Sequence, residues 1–118
     1  HRMVERKKDY IVFAKSIGIG VILKAVFEGK INPSKCILVG TPVNWCRANN
    51  FDIEEWIDGY SIPSLFIQQT KDPAFSFKEL KDLIKKKNVK NYLLKEVKGN
   101  DHNYDDIDEM KRLVAGFL

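Results

Sequence analysis

Three residues of this chain, Ser16, Asp72 and His102, have side chains that together could perform nucleophilic catalysis. A serine hydroxyl is a weak nucleophile until a base takes its proton, and a histidine can be that base near neutral pH. A carboxylate beside the histidine fixes its tautomer and stabilises the imidazolium that forms. The three residues lie far apart in the sequence, so only the tertiary fold could bring them together.

Each of these residues also has a simpler interpretation. Ser16 could cap a helix, Asp72 could open a turn with the proline that follows it, and His102 could lie in a mobile polar loop. Asp101 is a rival acid, but adjacent side chains rarely face each other, so we favour Asp72. His102 is the best candidate base because the chain has only two histidines and the other, His1, resembles part of a tag.

The residues around Ser16 favour a nucleophile on a sharp strand-to-helix turn. Such a turn tolerates only small residues two positions before and after the serine. Ala14 and Gly18 occupy those positions. The backbone N–H of Ile17 would lie at the start of the following helix, where it could donate to an oxyanion. The sequence therefore predicts Ser16 as nucleophile and the Ile17 amide as part of an oxyanion hole.

Short apolar runs alternate with amphipathic segments along the chain. The pattern predicts strands over 10–14, 36–40, 64–69 and 91–97, and helices over 17–28, 76–87 and 105–117. This order predicts an α/β fold, with a parallel sheet of about four strands and helices on both faces. Ligands bind outside the carboxyl ends of such strands, and the three candidate residues each follow a strand end. The helix over 76–87 has Ser76 as its predicted N-cap.

Three segments of the chain, one around each candidate catalytic residue, resemble motifs of the α/β-hydrolase family. AKSIG at 14–18 is similar to the family's G-x-S-x-G, with alanine for the first glycine, as in some members of the family, bacterial lipases among them. IPSLFI at 62–67 followed by KDP at 71–73 resembles the strand that ends at the acid, and GNDH at 99–102 resembles the histidine loop. The resemblance implies a serine hydrolase acting on a small ester-like acyl substrate, without a cofactor. Ser16 would be its nucleophile, His102 its base and Asp72 its acid.

The resemblance corresponds to the C-terminal half of the family's fold, within a single domain over 1–118 whose residues 1–3 look like a tag. The family's sheet usually has eight strands, and this chain supplies what resemble the last four. The other half would carry the second oxyanion donor and would cover the edge of the strand over 10–14. Two interpretations stay open: a longer natural protein, or a chain that stands alone. An exposed sheet edge would then favour a homodimer.

Aromatic residues are concentrated between the second and third predicted strands. The resemblance makes Trp45, Trp56 and Thr41 candidates for the substrate pocket. A small satellite core under an irregular segment over 44–60 is an equally good interpretation of the aromatic residues. The segment is short, so a large lid is not expected and the substrate would be small.

Composition limits the functional classes. The 118 residues, 44% hydrophobic and 31% charged, are typical of one globular domain, and no apolar run is long enough to span a membrane. The net charge of +4 is mild, and aromatic residues do not interleave with the basic ones, which argues against nucleic-acid binding. Cys36 and Cys46 form no CxxC pair or disulfide framework, which excludes an obvious metal site and favours a cytoplasmic location.

Two rival interpretations follow. The first is a non-catalytic hydrolase-like module that binds a partner through its sheet edge or aromatic segment. The second is an unrelated doubly wound domain, which predicts that Ser16, Asp72 and His102 lie well apart in space.

Overall fold

The computed structural model describes residues 9–118, in which strands and helices alternate in the predicted order. The strands are β1 (Ile11–Lys15), β2 (Lys35–Val39), β3 (Ser64–Gln69) and β4 (Tyr92–Val97). The helices are α1 (Ile17–Phe27), α2 (Val43–Ala48), α3 (Ile53–Ile57), α4 (Phe77–Lys86) and α5 (Ile107–Phe117). The suggested tag at 1–3 lies outside the described residues. None of the helices described is long and apolar enough to cross a membrane.

The predicted parallel sheet is confirmed. Its strand order is β1-β2-β3-β4, and every neighbouring pair is parallel. All four strands therefore end at the same edge of the sheet. Ser16 follows β1 directly, and the segments that contain Asp72 and His102 follow β3 and β4.

Helices cover both faces of the sheet, as predicted, because successive strand residues point to opposite sides. One face buries Leu38 and Phe66 against α1, α4 and the segment that holds α2 and α3. The opposite face buries Val39 and Ile67 against α5. The inner strand β3 is buried at every position, although only Leu65, Phe66 and Ile67 of its six residues are apolar.

The segment over 44–60 differs from its prediction as irregular, because it contains the short helices α2 and α3. Five or six residues make too few backbone hydrogen bonds to form a stable helix alone. Buried Val43, Cys46, Ile53 and Ile57 anchor these helices to the core. Tertiary packing, which a local pattern does not reveal, thus stabilises them.

Capping of α4 agrees with its prediction. The Ser76 side chain accepts a hydrogen bond from the backbone N–H of Glu79, and the Glu79 side chain accepts one from the N–H of Ser76. This reciprocal pair satisfies two of the amides that a helix start leaves without partners. The helix then presents Leu80, Leu83 and Ile84 to the core.

The two edges of the sheet differ in polarity. At the β1 edge, Ile11 is 47% exposed and Phe13 is 60% exposed. The outer β4 strand exposes Leu93 at 46% but also the charged side chains of Lys95 and Glu96, which disfavour pairing with another strand. An apolar groove of about 480 Å³ lies beside the β1 edge, against α5; its lining includes Phe13, Val39, Met110 and Val114.

Candidate active site

Ser16 lies in a strained turn between β1 and α1. Its backbone has φ 54° and ψ −125°, in the left-handed region that side chains rarely adopt. Such a conformation costs on the order of 1–3 kcal/mol and persists only where surrounding structure enforces it. Here the Ser16 N–H donates to the Val39 carbonyl oxygen at 2.9 Å, which continues the β1–β2 pairing into the turn. The Ser16 side chain makes no capping hydrogen bond, so its hydroxyl does not serve as an ordinary N-cap.

Small residues flank the turn, as the sequence predicted. A Cβ atom placed on Gly18 would lie 3.8 Å from the Cβ of Ala14, which is ordinary van der Waals contact. Ala14 is itself buried in the core beneath α1. Larger side chains at both positions would compete for the same space, which explains why the sharp turn requires small ones.

The structure brings Ser16, His102 and Asp72 together. The Oγ atom of Ser16 lies 2.7 Å from Nε2 of His102. The other ring nitrogen of His102, Nδ1, lies 2.7 Å from Oδ2 of Asp72. The Asp72 side chain is fully buried, whereas that of His102 is 28% exposed. The separation expected of an unrelated doubly wound domain is therefore not observed.

The acid in this contact is Asp72 and not its rival Asp101. Oδ1 of Asp101 accepts hydrogen bonds from the Gln69 side chain and from the Asn103 N–H. These bonds favour the charged carboxylate, and the Asn103 amide contributes most to a pKa of Asp101 below its ordinary value. Asp101 thus stabilises the loop, and the next residue, His102, contacts Asp72.

Asp72 also opens a turn, so its simpler interpretation holds alongside the histidine contact. Its Oδ1 atom accepts a hydrogen bond from the Ala74 N–H at 2.7 Å. Its backbone carbonyl accepts one from the Phe75 N–H at 3.1 Å. Oδ2 remains for His102 and for the hydroxyl of Tyr104, which donates to it at 2.8 Å.

Side-chain hydrogen bonds tie the histidine loop to two strands. The Lys15 ammonium, at the end of β1, donates to the Asn103 carbonyl oxygen at 2.7 Å. The Gln69 amide, at the end of β3, makes two 3.0 Å hydrogen bonds to Asp101, one to its side chain and one from its backbone N–H. His102 lies between Asp101 and Asn103, so its position is held from both sides.

Gly40 has no side chain, and the rings of His102 and Tyr104 lie in the space that a side chain there would occupy. It follows β2 with φ +73°, and a Cβ atom there would lie 2.8 Å from Cε1 of Tyr104 and 3.1 Å from Cε1 of His102. Both distances are shorter than normal contacts, so a side chain at position 40 would displace the histidine. Glycine is therefore required for steric reasons as well as for its backbone conformation.

The Ile17 amide has the properties expected of an oxyanion donor. Ile17 is the first residue of the 11-residue helix α1, so its N–H has no carbonyl one turn back to bond to. The positive end of the helix dipole adds to the attraction for an anion. This N–H belongs to the peptide directly after Ser16, next to the atom that would attack a carbonyl.

The predicted pocket residues lie outside this hydrogen-bonded cluster. Trp45 and Trp56 each contact Phe51 edge to face, with ring centroids 5.2 and 6.3 Å apart. Trp56 lines a groove along α1, and the lining of that groove contains none of the three candidate catalytic residues. Phe51 and Trp56 pack against the main core, whereas Trp45 is 37% exposed. The role of Trp45 and Trp56 in substrate binding stays a prediction.

Thr41 is fully buried, and its Oγ1 atom has no hydrogen-bond partner within residues 9–118. Its backbone is held by Gln68, whose side chain accepts from the Thr41 N–H at 2.8 Å and donates to its carbonyl at 3.1 Å. A contact between Thr41 and substrate also stays a prediction.

Sequence reasoning missed four polar residues that hold the site: Lys15, Gln68, Gln69 and Tyr104. The two glutamines carried a signal, because amide side chains at the end of a strand buried on both faces must find hydrogen-bond partners. Tyr104 lies two residues after the histidine, but nothing in its local sequence indicates that it turns back to Asp72.

Groups of three or more histidine, cysteine, aspartate or glutamate side chains suited to a metal ion do not occur in the described part of the chain. Comparison with protein-family models, curated proteins and solved structures finds no match to this sequence or fold. The geometry of Ser16, His102 and Asp72, at the carboxyl edge of a parallel sheet, is therefore the basis for assigning a function.

Proposed function

We propose that this chain is a serine hydrolase of the α/β-hydrolase type, corresponding to the C-terminal half of that fold, and that it cleaves small ester-like acyl substrates. One observation supports this most strongly: two 2.7 Å contacts join Ser16, His102 and Asp72 in a line. The strained backbone at Ser16 adds to it, because strain of this kind concentrates at functional sites.

In the first half-reaction, Ser16 Oγ attacks the carbonyl carbon of the ester while its proton moves to Nε2 of His102. The negative charge that develops on the carbonyl oxygen is stabilised by the Ile17 N–H. The bond from the carbonyl carbon to the alkoxy oxygen then breaks, and His102 gives its proton to the leaving alcohol. The product is an acyl group bound to Ser16.

In the second half-reaction, His102 takes a proton from water as the water oxygen attacks the acyl carbon. The bond to Ser16 Oγ breaks, Oγ regains a proton from His102, and a carboxylic acid leaves. Throughout, the carboxylate of Asp72 orients the imidazole and stabilises its positive charge. Burial of Asp72 strengthens that stabilisation, because the electrostatic attraction is less screened than it would be in water.

The proposed substrate is small or readily accessible because the segment between β2 and β3 is too short to form a large lid over the site. The side chains of Ser16 and His102 are both partly exposed, so a short acyl group can reach them from solvent. The segment between β2 and β3, which could have formed a lid, instead packs its short helices against α1 and the core.

A fluorophosphonate probe tests the proposal directly, because it phosphonylates only serines that are activated as nucleophiles. We expect intact mass measurement to show one added probe on the wild type and none on Ser16→Ala. Ser61→Ala, which changes an exposed serine without a histidine contact, is expected to label like the wild type. Long incubation is needed, since a missing second oxyanion donor would slow labelling by roughly 10²–10³-fold. A folded wild type that stays unlabelled, or a labelled Ser16→Ala, would contradict the proposal.

The apolar β1 edge favours a second candidate function, that of a module that associates through this strand. On its outer side β1 pairs with no other strand within residues 9–118. Its exposed Ile11 and Phe13 lie beside the groove against α5. Edge strands of this kind can pair with the same strand of another copy. The proposed partner is therefore a second copy of this chain, in a homodimer.

Sedimentation velocity over a concentration series tests this association. We expect the wild type to form dimers as concentration rises, and Phe13→Lys, which places a charge on the β1 edge, to remain monomeric. Leu93→Lys is the matched control, because it places the same charge at an exposed position of the opposite edge strand. A wild type that is monomeric at every concentration would refute the dimer.

A cytoplasmic location is part of the proposal. Cys36 and Cys46 are both buried and free, which is compatible with a reducing compartment. Burial raises the pKa of both thiols, which lowers their reactivity and agrees with a structural role. Recovery of the protein from a secreted fraction would contradict this location.

A further inference from the structure

We propose that the Tyr104 hydroxyl is a positioning group, which acts through Asp72 to hold His102 in the tautomer that can accept the proton of Ser16. The consequence for catalysis rests on the proposed hydrolase function. The structural part, the choice of tautomer, does not.

The direction of each hydrogen bond follows from what each group can donate. The backbone N–H of Gln69 donates to the Tyr104 oxygen at 2.7 Å. A phenol has a single proton, and a backbone N–H cannot accept it. The Tyr104 proton therefore points to its other partner, Oδ2 of Asp72, at 2.8 Å.

Both oxygens of Asp72 are consequently acceptors. Oδ1 accepts from the Ala74 N–H, and Oδ2 accepts from Tyr104. A carboxyl proton on Oδ1 would point at the Ala74 N–H, which cannot accept it, and Oδ2 already accepts the Tyr104 proton. The ring nitrogen that faces Oδ2, Nδ1 of His102, must then be the donor. In the neutral ring this leaves the lone pair on Nε2, where Ser16 Oγ lies.

Tyr104 is held rigidly in this role. Its side chain is buried at 5% exposure, and its ring contacts that of His102 edge to face at 6.0 Å between centroids. Its φ of 56° is another strained backbone position within the site. Burial, more than the nearby carboxylate, raises the pKa of Tyr104 above its ordinary value, so the hydroxyl keeps the proton that it donates.

Tyr104→Phe removes the hydroxyl and keeps the ring that packs on His102. We expect this variant to label with fluorophosphonate about 10-fold or more slowly than the wild type. Tyr60→Phe is the matched control, because Tyr60 is equally buried at 4% exposure and its hydroxyl bonds to Ser64 on the opposite face of the sheet. We expect that variant to label within about two-fold of the wild type. Equal labelling of the two variants would overturn the proposal.

A double-mutant cycle with Asp72→Asn separates positioning from packing. If Tyr104 acts through Asp72, its hydroxyl has nothing left to align once the carboxylate is gone. Adding Tyr104→Phe to Asp72→Asn is then expected to change the labelling rate by less than about two-fold. A further loss as large as in the wild-type background would mean that the hydroxyl acts by packing alone.

The tautomer itself can be measured without any catalytic activity. Long-range ¹H–¹⁵N spectra of the neutral ring are expected to show the Nδ1–H form of His102 in the wild type and a larger fraction of the Nε2–H form in Tyr104→Phe, because the Asp72 carboxylate is then aligned by the Ala74 N–H alone. Assignment is simple because the chain has two histidines. An unchanged tautomer would overturn the proposal, whether or not the wild type labels, which separates this result from failure of the hydrolase proposal.

A wild-type measurement keeps the proposal testable if Tyr104→Phe does not fold. The Tyr104 hydroxyl proton and the Nδ1 proton of His102 point at the same oxygen of Asp72. They should therefore exchange slowly with solvent and show a nuclear Overhauser effect to each other. If neither the slow exchange nor the Overhauser effect is observed, the hydrogen-bond directions, and with them the proposal, are wrong.

Discussion

Replacing His102 with glutamine is expected to lower both fluorophosphonate labelling and ester hydrolysis by about 10⁴-fold or more. The variant keeps a polar side chain of similar size but has no group that can take the proton of Ser16 near neutral pH. The serine hydroxyl then remains a weak nucleophile, whatever the geometry of its turn. Initial rates of hydrolysis of an activated aryl ester, measured together with labelling by intact mass, would show the loss.

The chain's other histidine provides the control for this prediction. His1→Gln makes the same chemical change at the first residue, and we expect it to keep the wild-type rate. Circular dichroism and the urea midpoint would establish that both variants are folded. If His102→Gln retained more than about a tenth of the wild-type rate while folded, His102 could not be the general base.

Replacing Asp72 with asparagine is expected to lower the rate by roughly 10⁴-fold. The Ala74 N–H requires an acceptor at the position of Oδ1, so the asparagine oxygen would take that place. Its NH₂ group would then face Nδ1 of His102. The ring could bond to it only as the Nε2–H tautomer, which offers Ser16 a donor instead of a lone pair.

Asp101→Asn is the matched control for Asp72→Asn, because it makes the same change beside His102 without contacting its ring. Asp101 bonds to Gln69 and Asn103 instead. We expect Asp101→Asn to lower the rate by less than about 10-fold, through a looser loop. A folded Asp72→Asn variant with nearly wild-type kcat would show that Asp72 is not the acid. So would a loss of rate in Asp101→Asn larger than that in Asp72→Asn.

The strands and most of the helices could be predicted because their signals are local. SLFIQQ at 64–69 matches β3 residue for residue, and β1 and β2 lie within one residue of their predicted bounds. Apolar runs bounded by breakers, and apolar residues three and four apart, depend only on near neighbours in the chain. The parallel sheet with helices on both faces followed from the order of these elements. The helices α2 and α3 lacked such a signal because burial, and not their own sequence, stabilises them.

The sequence by itself determined which candidate residues would meet at one edge of the sheet. Parallel strands share a direction, so residues that follow their carboxyl ends, such as Ser16, are gathered there whatever the loops do. Only the tertiary structure decided the contacts within that edge. In that structure His102 bonds to Asp72 and not to Asp101, and the Tyr104 hydroxyl donates to the same carboxylate. The rings of His102 and Tyr104 lie where a side chain at Gly40 would be. Hydrogen bonds over a few ångströms depend on loop paths and rotamers set by residues distant in sequence, which no local pattern encodes.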